Sequence, residues 1–162
     1  MNTLALDLGL LMGFAMEGPA LPTISGTQRF DKTGASPGMR FLEFRKWLEK
    51  AAYLPGAILA HVDIIVFEEA YQKGAAAWHS YGGFRGVLLE FCEQRGVEYR
   101  PVGTTVLKKW ATGKGNAGKP EMVAEARRRH PEVDLIDDNH ADALLLLDYA
   151  LAELVPAAGR ST

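Results

Sequence analysis

The residues Val62 to Phe67, Val-Asp-Ile-Ile-Val-Phe, form a nearly continuous apolar run rich in β-branched side chains, closed by Glu68 and Glu69. A strand with one wet face alternates apolar and polar residues, whereas a run without alternation belongs to a strand buried on both faces. Such a strand needs helices above and below it. The chain is thereby directed to an α/β architecture.

The segments around this run fit that architecture. Thr3 to Gly9 is a short β-capable run carrying Asp7, Gly13 to Met16 can return as the second strand of a hairpin, and Ser25 to Phe30 supplies a third strand. A turn-rich stretch from Gly34 to Gly38 then precedes Phe41, Phe44, Trp47, Leu48, Ala51 and Ala52, whose helical spacing marks an amphipathic helix stopped by Pro55-Gly56. Ala75 to Arg95 is a long helix-compatible stretch, apolar on more than one side despite Gly82-Gly83. Val97 to Val102 reads as a fifth strand. Val106 to Trp110 and a loop to Gly118 lead to a helix near Pro120 to Arg129, and a last helix starts near Asp138 and runs to about Leu154. The expected order is β-β-β-α-β-α-β-α-α: a five-stranded mixed sheet, antiparallel first and parallel later, with helices on both faces.

At 162 residues and 48% apolar content the chain has the size and core of one domain, expected over residues 1–155 with a flexible tail at 156–162. No apolar run approaches the roughly 20 residues of a membrane span, and the short stretch around Asp7 lacks the features of a signal peptide, so a cytoplasmic protein is expected. Cys92 is the only cysteine, which excludes an intrachain disulfide and a cysteine-rich zinc site. A formal net charge of −2 means that any attraction to a polyanion must come from a local patch.

Carboxylates in segments otherwise built for burial need partners, because desolvating an unpaired charge costs several kcal/mol. Asp7 and Glu68 are two such groups, with Glu69 the register alternative to Glu68. A third acidic cluster, Asp137-Asp138-Asn139-His140-Ala141-Asp142, precedes the apolar run Ala143 to Leu147. Acidic residues at a helix start can simply cap it and meet its dipole, a role that Asp137 fits and that is open to Asp138 as well. Asp142 fits it less well, being set among Ala141, Ala143, Leu144 and Leu145. Hard divalent cations such as Mg²⁺ take oxygen ligands, and cations held between carboxylates can position an attacking water on a phosphodiester.

Through Leu6-Asp7-Leu8-Gly9, Ile65-Val66-Phe67-Glu68 and His140-Ala141-Asp142-Ala143-Leu144, the chain resembles the RuvC-type Holliday junction resolvases of the ribonuclease H-like superfamily. The resemblance spans nearly the whole chain and rests on the order and spacing of individually weak motifs. It implies a crossover junction endodeoxyribonuclease of phage or bacterial type. In that reading Asp7, Glu68 and Asp142 bind two Mg²⁺ per active site, with Mn²⁺ able to substitute, and the products are a 5′-phosphate and a 3′-hydroxyl. The family's fourth ligand, three residues before the last Asp, is Asn139 here. Asp138, one turn from Asp142, is favoured as the replacement, with Asn139 itself and His140 the alternatives as extra ligand or water-activating base.

Between Tyr99 and Pro120 there is no acidic residue, while Arg100, Lys108, Lys109, Lys114 and Lys119 supply a basic patch in a glycine-rich setting. The resemblance implies DNA contacts by Lys108 and Lys119; Lys109 and Lys114 join them by charge alone. Tyr71 matches an aromatic that the family stacks on a base. The Ala75 to Arg95 helix corresponds to the one through which resolvases form a two-fold homodimer, with Trp78, Tyr81, Phe84 and Leu88 offering apolar area. The expected partners are branched DNA, four-way junctions above all, and a second copy of the chain. Rival readings are a broader nuclease of forks and flaps and a non-catalytic junction binder. An actin-like ATPase or sugar kinase also carries Asp-x-Gly on its first strand but needs two such domains.

Overall fold

The structure is a computed structural model that describes residues 1–19, 21–31, 36–51, 62–69 and 75–155. Its strands are β1 (Thr3–Asp7), β2 (Leu11–Gly18), β3 (Leu21–Arg29), β4 (Ile64–Glu69) and β5 (Glu98–Gly103). Its helices are α1 (Met39–Ala51), α2 (Ala75–Arg95), α3 (Thr104–Thr112), α4 (Lys119–Arg129) and α5 (Asp138–Tyr149), the last continuing as a π-helical turn over Ala150–Leu154. The strands lie in the order β3-β2-β1-β4-β5. β1, β2 and β3 are antiparallel neighbours, and β4 and β5 run parallel to β1. The five-stranded mixed sheet expected from the sequence is therefore present.

Alternation along the central strands sorts two cores. Leu4, Leu6, Ile65 and Phe67 face α1 and α2, packing with Phe44, Leu48, Phe84 and Leu88. Ala5, Ile64 and Val66 face the opposite way, toward Leu107 of α3, Met122 of α4 and the leucines of α5. β4 is thus buried on both faces, which is why its sequence shows no polar alternation. The final helix is the most enclosed, with every residue from Ala143 to Leu147 buried.

Two expectations are corrected. Val106 to Trp110 lies within a full helix, α3, which the expected order omits. Tyr81, Phe84 and Leu88 are core residues at 3% exposure or less, so they cannot line a dimer surface; of the four aromatic and aliphatic residues named for that role only Trp78, 49% exposed, faces outward. Tyr71, Pro55, Gly56 and the tail 156–162 lie outside the described residues. Among the described residues no helix is long and apolar enough to cross a membrane.

Candidate active site

Asp7 is the last residue of β1 and Glu68 lies one step from the end of β4. Their parity, set by Ala5 and by Ile64 and Val66, turns both toward the face covered by α5. α5 can reach them because β2 offers no side chain at Gly13, the partner of Asp7 in the ladder. A Cβ at Gly13 would overlap the backbone carbonyl of Asn139. The first turn of α5 therefore rests directly on the sheet beside Asp7.

The start of α5 is fixed from the side of β3 as well. Asp137 caps the helix by accepting from the His140 amide at 2.9 Å, and it also accepts from the Thr27 hydroxyl at 2.7 Å. His140 is buried at 2% exposure. Its Nδ1 accepts from the Ile136 amide at 3.2 Å, so Nε2 carries the proton and donates to Ser25 Oγ at 2.8 Å. Burial pushes the imidazole below its usual range. With both nitrogens engaged by β3 and by the loop before α5, His140 is turned from the carboxylates, and the arrangement does not offer it as a ligand or base.

Four carboxylates converge instead. Burial first, and then the charges of Glu68, Asp142 and Asp138, hold Asp7 well above the usual carboxylate range. Burial, followed by Glu68 and Asp138, lifts Asp142 to about 7. Burial also raises Glu68, against the opposing effects of the Thr104 hydroxyl and the Lys108 ammonium. Asp138 goes the other way, held below its usual value by its hydrogen bond to Lys119. Asp138 is thus electrostatically part of the cluster, whereas the backbone of Asn139 is committed to the contact at Gly13.

The donor set suits a hard divalent cation: anionic oxygens on three separate elements, each repelled by the others and partly stripped of water. Among the described residues no three ligating side chains are spaced to hold an ion as they stand. In this arrangement Lys119 engages Asp138 and the Thr104 hydroxyl engages Glu68 Oε1 at 2.5 Å.

The lysines divide by position. Lys108 and Lys119 act on the carboxylates electrostatically, and the Lys119 ammonium feels Asp138, Asp142 and Asp7. Lys114 is paired with Glu121 at 3.2 Å at the start of α4, and Lys109 is exposed on α3. Sequence reasoning missed Thr104 and Gly13. A threonine and a glycine carry no charge pattern, and the helix that Thr104 begins was itself not expected.

Two solved structures share this fold. A structure of Thermus thermophilus RuvC aligns with a TM-score of 0.67 and 20% sequence identity over 94% of this chain and 96% of that one. T. thermophilus RuvC in complex with a Holliday junction substrate aligns with a TM-score of 0.64 and 18% identity, covering 90% of each chain. No protein-family model and no curated protein sequence matches the chain. The fold is therefore of the RuvC type within the ribonuclease H-like class, a likeness that resides in the backbone arrangement.

Proposed function

We propose that this chain is a structure-selective endonuclease that resolves four-way DNA junctions by divalent-cation-dependent phosphodiester hydrolysis. The observation that carries the reading is the convergence of Asp7, Glu68, Asp138 and Asp142 beneath the first turn of α5, with Lys108 and Lys119 beside them. A cluster of mutually repelling carboxylates is costly for the fold unless a cation offsets it, and adjacent ammonium groups suit a polyanionic substrate. The likeness in fold to the junction-bound T. thermophilus protein supports a four-way junction as that substrate.

Asp7, Glu68, Asp138 and Asp142 would hold Mg²⁺, or Mn²⁺ in its place, two ions per site. The bound metal would polarise the scissile phosphate and lower the pKa of the attacking water. Lys108 and Lys119 draw the phosphodiester to the cluster, and Lys119 exchanges its Asp138 partner for a phosphate oxygen when DNA enters. Water adds to phosphorus, the P–O3′ bond breaks and a proton reaches O3′, leaving a 5′-phosphate and a 3′-hydroxyl. Symmetric nicks on two strands of like polarity call for two sites related by a two-fold axis. The outer face of α2, with Trp78, Gly82 and Gly86, is the surface for that homodimer: nothing lies within 4 Å of a Cβ built at either glycine.

The test is cleavage of a synthetic four-way junction beside matched duplex, fork and flap, with Mg²⁺ or EDTA, by wild type and Asp7→Asn. Paired symmetric nicks on the junction that vanish with EDTA and with Asp7→Asn are expected. Equal cutting of forks and flaps would replace junction resolution by a general branched-DNA nuclease. Binding without cutting would overturn the enzymatic reading.

A further inference from the structure

We propose that Thr104 is a positioning residue that presents Glu68 to the cation site, an inference that rests on the metal-dependent reading above. Glu68 pairs with Val102 in the parallel ladder between β4 and β5, so Thr104, two residues further, stands where β5 ends beside the end of β4. There its hydroxyl donates to Glu68 Oε1 at 2.5 Å, a short bond of the kind a hydroxyl makes with a charged oxygen. Thr104 opens α3, whose N-cap residue, Gly103, has no side chain with which to cap. The first-turn amides and positive end of a nine-residue helix thus begin beside the same carboxylate.

The other acids are held differently. Asp138 is engaged by Lys119, a long side chain that is 78% exposed, and Asp7 accepts no side-chain hydrogen bond from a described residue. Thr104 is short and β-branched, with few rotamers, and is half-buried. Its single hydroxyl proton commits Oε1 and leaves Oε2 for a cation to take. A carboxylate already held in place by such a bond loses less rotamer entropy on ligation than one that must be ordered by the ion.

The experiment is Mn²⁺ binding to the metal-free protein, read by loss of the free-ion EPR signal, for wild type and for the Thr104→Val, Thr104→Ser and Thr104→Ala variants. Thr104→Val keeps the shape and removes the donor. Thr104→Ser and Thr104→Ala lose the same methyl and differ by the hydroxyl, so their ratio reads the hydrogen bond even where Thr104→Val disturbs the fold. Removal of an outer partner of a metal ligand weakens binding by roughly 10- to 100-fold. We therefore expect Thr104→Val and Thr104→Ala to bind at least about tenfold more weakly than wild type. Thr104→Ser should bind within about threefold of wild type, a small part of that range. Equal affinity of the Ser and Ala variants would overturn the role of Thr104. A wild-type protein that binds no Mn²⁺ would overturn the cation-site reading itself.

Discussion

Asp142 is the residue on which the electrostatics of the site can be measured. Its carboxyl titrates at about 7 against an ordinary 3.8, because burial and the neighbouring Glu68 and Asp138 charges disfavour ionisation. An acid raised in this way binds a proton in the folded chain that the unfolded chain has already released. Its favourable contribution is complete below about pH 4 and is lost as pH rises through about 7. Glu125, held at about 2 by Arg128 and Arg129, loses its contribution only in acid, and the depressed His140 opposes the trend below its ordinary 6.5. Comparing wild type with Asp142→Asn cancels both. In urea melts without metal, the stability of Asp142→Asn relative to wild type should grow by up to about 1.4 kcal/mol per pH unit from pH 5 to 7 and then level off. Adding Mg²⁺ should stabilise wild type alone. A pH-independent difference would mean that Asp142 is not in a repelling cluster. Gly13 carries a second expectation. Gly13→Ala places a methyl in the Asn139 carbonyl, and overpacking of this kind costs roughly 1–3 kcal/mol. It should also lower junction cleavage by displacing α5 from Asp7, and an unchanged melting temperature would show that the close approach is not needed. Charged groups in apolar segments announce themselves, which is why Asp7, Glu68 and Asp142 were visible in the sequence. Gly13 and Thr104 act through geometry with distant residues, for which a single chain offers no sign.

Elements were legible wherever their apolar pattern was long. α2 spans Ala75–Arg95 as its composition implies, and β4 takes in the run that constrained the fold from Ile64 on, together with the two glutamates that close it. β2 begins at Leu11, two residues before the expected return strand, because its pairing with β3 extends past the β-capable core to Leu11↔Arg29. α3 escaped notice because Thr104, Thr105 and Val106 are β-branched and only nine residues long in total is the helix they open. Its Leu107 and Ala111, four apart, are buried against the α4 and α5 face, so tertiary packing overrides weak local propensity. The start of α5 is the element whose placement matters most to the proposed chemistry. Asp137 holds it through the His140 amide and the Thr27 hydroxyl, so Asp137→Ala removes a cap and a link to the edge strand together. A lost cap costs about 1 kcal/mol, and the uncapped turn carries Asp138. Asp137→Ala should therefore lower the unfolding midpoint modestly and weaken Mn²⁺ binding more than the stability loss alone explains. Retained metal affinity would show that the first turn of α5 is held by the Gly13 contact without its cap.

At the scale of the whole molecule, the proposed junction resolution needs two cutting sites, and the outward face of α2 is the surface proposed to pair them. Phe84 and Leu88 point into the protomer, where Phe84 packs at 5.3 Å from the Phe44 ring, so inward residues are already used. Outward, Gly82 and Gly86 are one turn apart and open, with Trp78 one turn before them. Small residues at this spacing let two helix backbones approach closely, and an exposed tryptophan supplies apolar area at the same face. Gly86→Arg should therefore block association while leaving the protomer folded, since arginine is a better helix former than glycine and meets open space within the chain. Light scattering would read dimer for wild type and monomer for the variant. The functional readout is a plasmid bearing an extruded cruciform: paired incision within one binding event yields linear product, whereas independent incision yields nicked circles that convert to linear slowly. Wild type should linearise directly, and Gly86→Arg should accumulate nicked circles because each active site is intact but unpaired. If Gly86→Arg remains dimeric and linearises the plasmid at the wild-type rate, the two-fold axis does not run along α2, and coordination of the two sites must arise from another surface.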